Sequence, residues 1–383
     1  MADLRPVILR LYQEEKKVME ISRLLNISQP NVSRAIKRFE ETGSNNDRAK
    51  SGRPVSANTE DNHTLAAPSP QPPSVNWTSD YNVELAQMAF DFAAAAYSDD
   101  PIPCLRKHAA VLELIDHISC DYVGDECWAY IARNDDFVVF SVRGTKTRLQ
   151  LITELVETMS WPKKTFPAGG SVQRYFFSAL KSVWDKGFGA KLRKLRIDHP
   201  KARFLFTGHS LGGALASLAS SLFAYENKDL IGPDSIFLIT YGQPRVGNMD
   251  YAEGHDLLVP NSWRIIHRYD LVAHLPYCYE RLLSHKCASL YNHGPWHHGT
   301  EIWYPDGMNN TDSLFKICQG LPLNEDDSCS NGYYVHYGTT DHFRYFEKDV
   351  DQYGTAGCVD NKTSSSKRTN DTNQWKKSRN STA

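Results

Sequence analysis

The rhythm of apolar positions changes several times along the 383-residue chain, and each change predicts a different kind of structure. Residues 5–41 keep a helical spacing. Val7, Ile8, Leu11 and Tyr12 form one stripe, Val18, Ile21, Leu24 and Leu25 a second, and Val32, Ile36 and Phe39 a third after Asn26-Ile-Ser28. Ser28 suits the N-cap of the last helix, because its hydroxyl can accept from an otherwise free backbone N–H, and Gly43 ends that helix. Two short helices, a tight turn and a third helix bearing Arg34, Lys37 and Arg38 predict a helix-turn-helix.

From Ser44 to about Ser79 the periodicity disappears, and Asn, Ser, Pro, Asp and Thr dominate around Ala67-Pro-Ser-Pro-Gln-Pro-Pro-Ser74. So little apolar surface cannot offset the entropy of ordering, and a disordered or polyproline-like linker is expected. Beyond it, short apolar runs alternate with helical stretches. Phe137-Val-Val-Phe-Ser-Val142, Phe204-Leu-Phe206, Ile236-Phe-Leu-Ile239 and Trp263-Arg-Ile-Ile266 have strand length, while Val172–Arg196 and Leu211–Tyr225 are helical in spacing. Apolar strands separated by helices predict an α/β fold with a mostly parallel, doubly covered central sheet. The expected division is a small all-α helix-turn-helix module at 1–54, a Pro/Ser-rich linker at 55–79, the α/β domain at 80–350 and a disordered polar tail at 351–383. No run approaches the roughly 18 apolar residues of a transmembrane segment.

Composition changes this picture in two places. The whole chain is nearly neutral at −2, but its first 57 residues hold 11 Lys and Arg against 7 Asp and Glu. That local excess suits a polyanion. The eight cysteines all lie after residue 100, and sequons stand at Asn309, Asn361, Asn370 and Asn380. Together they predict a disulfide-bearing module of the secreted type. The start, Met1-Ala-Asp-Leu-Arg, has neither the apolar region nor the cleavage site of a signal peptide. The two halves therefore point to different compartments, and localisation stays open.

The chemistry centres on Thr207-Gly-His-Ser-Leu-Gly-Gly213, which follows one predicted strand and opens an alanine-rich helix. Gly208-x-Ser210-x-Gly212 has the spacing of a nucleophile elbow, with His209 inside it. Such a strand-to-helix turn is too sharp for larger side chains and lifts the serine hydroxyl clear of the sheet. The helix start below Ser210 offers free N–H groups to a developing oxyanion.

The block Thr207–Gly213 and the block Tyr241-Gly-Gln-Pro-Arg-Val-Gly-Asn248 together resemble the class 3, or fungal-type, triacylglycerol lipases. So do Ala94-Ala-Ala-Tyr-Ser98, Val142-Arg-Gly-Thr145, and Arg268-Tyr-Asp270 through His274-Leu-Pro276. The resemblance covers roughly residues 80–350. It implies an α/β-hydrolase fold and hydrolysis of lipid carboxylic esters through an acyl-enzyme on Ser210, with no cofactor. The family's chain order is serine, acid, histidine. It points to Asp270 as the acid, with Asp250 and Asp256 as rivals, and to His342 as the base, with His336 as its rival. The second oxyanion donor implied beside Leu211 is Thr145. A lid is implied over Lys146–Glu157, where Leu149, Leu151, Ile152 and Leu155 stand among polar residues. His293, His297 and His298 invite a metal reading, but their setting resembles a late sheet strand of the family, and no metal is expected. The implied substrate is a lipid ester at an oil–water or membrane surface.

Residues 1–54 resemble the DNA-binding segment of Tc1/mariner-type transposases, with Glu41-Thr-Gly43 and Gly52-Arg-Pro54 after the helices. Arg34, Lys37 and Arg38 would meet phosphates or base edges, and Arg53 would suit a minor groove. The family's second DNA-binding half and acidic catalytic core have no counterpart, so at most weak DNA binding by residues 1–54 is implied. An alternative remains, a DNA-binding protein with a vestigial hydrolase domain. Such a domain would be expected to lose a triad member, and all three residue types are present.

Overall fold

In a computed structural model of the chain, the described residues begin with Val18, Val32, Ser33, Ile36 and Lys37. They continue with 81–119, 126–145, 163–280, 287–288, 294–308, 313–320 and 324–359. The chain divides into two units, Met1–Ser74 and Val75–Ala383. In the first, Val32 and Ile36 are helical and buried while Ser33 and Lys37 are helical and exposed. A spacing of four puts the two apolar residues on one face of a helix.

The second unit is built on a sheet whose eight described strands lie in chain order. They are β1 (Val111–Ser119), β2 (Glu126–Arg133), β3 (Phe137–Val142), β4 (Arg203–His209), β5 (Ile236–Tyr241), β6 (Asn261–His267), β7 (Thr300–Tyr304) and β8 (Lys316–Ile317). β3 to β7 pair in parallel. β1, β2 and β8 add antiparallel edges. Every residue of β3, β5 and β6 is buried, as strands covered on both faces require. Alternation divides their side chains. Val138, Phe140, Phe204, Phe206 and Leu238 pack in one core with α3 (Arg174–Val183), α4 (Gly189–Asp198) and α5 (Leu211–Glu226). Phe137, Val139, Leu205, Phe237, Ile239 and Ile265 pack in the other, with α1 (Val83–Ala95) and the one-turn α2 (Ile102–Arg106). The fold is that of an α/β hydrolase. No helix among the described residues is long and apolar enough to cross a membrane.

The four expected strands lie within β3 to β6, and each of β4 to β6 extends beyond the apolar run that announced it. The stretch Val172–Arg196 differs. Ser171–Gln173 is a short strand, and a wide π turn at Trp184–Phe188 separates α3 from α4.

The polar tail needs correction: ordered structure does not stop at 350. Helix α7 (Val350–Thr355), which comes after α6 (Met249–Leu258), carries Tyr353 into the second core, where its hydroxyl donates to the buried Asp91 carboxylate at 2.8 Å. Cys358 then forms a disulfide with Cys104. Two apolar residues in six give no readable period, so this anchoring is visible only in three dimensions. Two further disulfides, Cys278–Cys287 and Cys318–Cys329, hold loops after β6 and beyond β7.

Candidate active site

Parallel strands expose their carboxyl ends on one edge of the sheet, and the chemistry-bearing residues gather there. β4 ends at His209, and Ser210 follows with φ 59 and ψ −128 before α5 begins at Leu211. A non-glycine residue held there stores on the order of 1–3 kcal/mol of strain. The neighbours explain the two glycines: a Cβ at Gly208 would come within 2.4 Å of the Gly212 backbone, and one at Gly212 within 2.1 Å of the Val142 carbonyl oxygen. The Ser210 N–H is fixed by the Tyr241 carbonyl at 2.9 Å. Leu211 occupies the first helical position, where a backbone N–H has no acceptor within its own helix. Thr145 lies half-buried just past the end of β3.

β6 delivers the acid. After its last residue the chain turns through Arg268, in the left-handed region at φ 47, and places Asp270 in a bridge with Gly338. That contact draws in the segment carrying His342, which sits in a short 3₁₀ turn, Asp341–Phe343. The His342 Nδ1 faces both Asp270 oxygens, at 3.0 and 2.9 Å. Tyr345 donates its hydroxyl to Asp270 Oδ2 at 2.7 Å, and Val272 donates its N–H to Oδ1 at 2.9 Å. Asp270 and His342 are both fully buried. Burial by itself would raise the Asp270 carboxyl, but His342 and the Tyr345 hydroxyl outweigh it and hold it below its ordinary value. An ionised Asp270 makes Nδ1 the protonated nitrogen and leaves Nε2 with a free lone pair. Nε2 of His342 and Oγ of Ser210 are both buried without a hydrogen-bond partner. A base nitrogen and a hydroxyl left in that state are what a proton transfer requires.

Of the rivals, Asp250 is exposed at the start of α6 and bonds Asn248. Asp256 is lifted to about 7 by burial and takes N–H groups from Gly299 and Asn324. Neither is among the partners of His342. The side chain of His336 lies outside the described residues, as does His293. His297 and His298 are buried and committed, the first to Glu325 and the Ala273 carbonyl, the second to Ser217 and Gln243.

Among the described residues, two groups could be considered for a metal. His255, Asp256 and His298 bring donor atoms within 4.8 Å of one another, but Ser221 and Ser262 already occupy both His255 nitrogens. In the other, Glu301 with Cys318 and Cys329, both sulfurs are tied in a disulfide and offer no thiolate. Leu149, Leu151 and Ile152, expected in a lid, lie outside the described residues, as do Arg34, Arg38 and Arg53. Lys37 is exposed on its helix.

Some functional parts escaped the sequence reading. Gly242 has φ 57, and a Cβ there would meet Asp270 Oδ2 at 2.4 Å and His342 Nδ1 at 2.7 Å. Arg245 grips Glu325 through two bonds of 2.8 and 2.7 Å and also donates to the His274 and Pro276 carbonyls, bracing the turn after Asp270. Both lie in the Tyr241–Asn248 block, which was the signal available.

The model of the family described as Lipase (class 3) matches residues 139–280, and that of the winged helix-turn-helix matches residues 5–61. Lipase ZK262.3 of Caenorhabditis elegans is 37% identical over 300 residues, covering 73% of this chain and 83% of that protein. A lipase of Rhizopus niveus is 30% identical over 222 residues, 57% of this chain, and the chain spans 50% of that protein's length. Among solved structures, a lipase from Rhizopus microsporus var. chinensis superposes with a TM-score of 0.58 at 24% identity, over 72% of this chain and 89% of that one.

Proposed function

The chain belongs to the class 3 lipases, and from that premise we propose that Ser210, Asp270 and His342 are its catalytic triad, with Leu211 and Thr145 lining the oxyanion hole. The observations that carry this are the buried Asp270–His342 pair, whose outer nitrogen is unpartnered, and an equally unpartnered serine hydroxyl at a strained elbow. The chain is a carboxylic ester hydrolase. His342 Nε2 takes the Ser210 proton as Oγ attacks the ester carbonyl, and the N–H groups of Leu211 and Thr145 receive the developing oxyanion. The alcohol leaves with the proton from His342, and an acyl group stays on Oγ. Water, deprotonated by the same nitrogen, releases the acid. Asp270 holds the tautomer and stabilises the imidazolium.

We read the substrate as a lipid ester at an oil–water or membrane surface and the segment after β3 as a lid. Leu149, Leu151 and Ile152 stand among polar residues directly beyond Thr145, and each could bury its side chain against lipid for very roughly 1.5–3 kcal/mol. Swinging a two-state lid from 1:99 to 99:1 needs only about 5.5 kcal/mol. Activity on a short-chain ester should therefore jump once substrate exceeds its solubility and forms droplets. Replacing the three residues with Ser should flatten the jump and spare hydrolysis of dissolved ester. Smooth saturation through the solubility limit in the unmodified protein would reject the lid and leave an esterase.

A second reading concerns residues 1–54, before the Pro/Ser-rich stretch we read as a linker at 55–79. The winged-helix match, the local positive charge and the exposed Lys37 favour weak DNA binding through Arg34, Lys37, Arg38 and Arg53. Phosphate contacts release counterions, so affinity for duplex DNA should fall steeply between about 50 and 200 mM salt. Retention that ignores salt, or no retention at low salt, leaves the module without this role.

A further inference from the structure

His209 directly precedes the nucleophile and packs its ring against that of the base, yet it has no place in the proton path, and its contacts tie three separate elements together. Tyr97 lies just beyond the C-terminal end of α1, buried, with its hydroxyl 2.8 Å from His209 Nδ1. His209 Nε2 is 2.7 Å from the main-chain oxygen of His342, and the two imidazole rings lie 4.5 Å apart, centre to centre. A carbonyl oxygen can only accept, so Nε2 must carry the proton. In a neutral ring Nδ1 must then accept, which makes the Tyr97 hydroxyl the donor. The chain of donors therefore runs one way, from Tyr97 through His209 to the His342 backbone.

The ring stays neutral. Burial, with His342 as neighbour, pushes His209 down to about 3. Its neutrality matters because His342 becomes a cation in each half-reaction, and a second cation at this distance would oppose that charge. The same phenol oxygen also touches the oxyanion side. The Gly144 backbone N–H approaches it, and a Cβ at Gly144 would meet it at 2.5 Å and the Ser210 Cβ at 3.2 Å. His342 itself stands in a three-residue turn, and its own N–H is held only by the Thr339 carbonyl at 3.3 Å. Such a turn needs an outside brace to keep a side chain aimed.

We propose that Tyr97 and His209 are positioning residues that form a neutral strut between the oxyanion loop, the Ser210 elbow and the His342 backbone, and so set the aim of Nε2 at Oγ. This rests on the triad reading above. Misaiming a base by about an ångström can cost on the order of a hundredfold in rate without touching substrate binding.

Three variants, each checked by thermal melting to be folded, test it on a dissolved short-chain ester. Tyr97→Phe and His209→Leu should lower kcat about 10- to 100-fold at unchanged KM. His209→Gln, whose amide nitrogen falls close to the place of Nε2, should recover most of that loss. All three should still take one alkyl fluorophosphonate per chain at Ser210, only more slowly. Tyr97→Phe with the parent kcat, a loss carried by KM, or His209→Gln as poor as His209→Leu would each overturn the strut. Should Tyr97→Phe not fold, the Gln-against-Leu comparison decides alone. Absence of label on the parent protein would instead strike the triad, and the strut with it.

Discussion

Ser210→Ala is expected to lower kcat by about a millionfold, His342→Ala by a similar factor, and the double variant by no more than either alone. The three outcomes follow from one physical unit. Without Oγ there is no atom to form the acyl bond. Without His342 the hydroxyl at the elbow keeps its proton and is a poor nucleophile. Removing the second member of a disabled pair takes nothing further away. What survives comes from the oxyanion donors and substrate positioning, which do not need the pair. An alkyl fluorophosphonate should add one covalent label per parent chain and none to Ser210→Ala. Labelling undiminished in that variant, or effects that multiply in the double, would refute the assignment.

Asp270→Asn should cost about ten thousandfold in kcat with little change in KM. The substitution keeps the shape of the side chain but removes the charge that fixes the proton on His342 Nδ1, so Nε2 is no longer reliably bare. It also leaves a polar group against the Tyr345 hydroxyl and the Val272 N–H, both aimed at a carboxylate. A pH dependence accompanies the change. The folded-state carboxyl is held below the ordinary 3.8, so its stabilising effect is fully present above that value and is lost as pH falls through the lower, folded one. The melting temperatures of parent and variant should therefore differ at neutral pH and converge in strong acid. A kcat within tenfold of the parent would move the acid elsewhere.

Much of this fold is legible because parallel strands buried on both faces must be apolar throughout. Phe137–Val142 and Ile236–Ile239 announce themselves for that reason, and so does the elbow, whose glycines meet contacts at a spacing of four residues. The antiparallel strands β1 and β2 carry charges such as Glu113, Asp116 and Arg133 among their apolar residues, which blurs the signal. Asp270 and His342 lie 72 residues apart, and only the family's order pointed to them. Tyr97 was inside a quoted block, but its bond to His209 spans 112 residues and no local pattern encodes it. The helix after Asp349 was missed because its anchors, Tyr353 and Cys358, find partners on α1 and α2 at the other end of the domain.

The Cys104–Cys358 bond turns most of the hydrolase into a covalent ring, since the joined residues stand 254 apart in sequence. A backbone cut inside the ring opens it but frees no piece of it, so a nicked molecule would travel as one until a reductant arrives. A cut anywhere before Cys104 falls outside the ring and leaves it closed. Such a cut leaves every residue from Thr145 to His342 on one closed circuit.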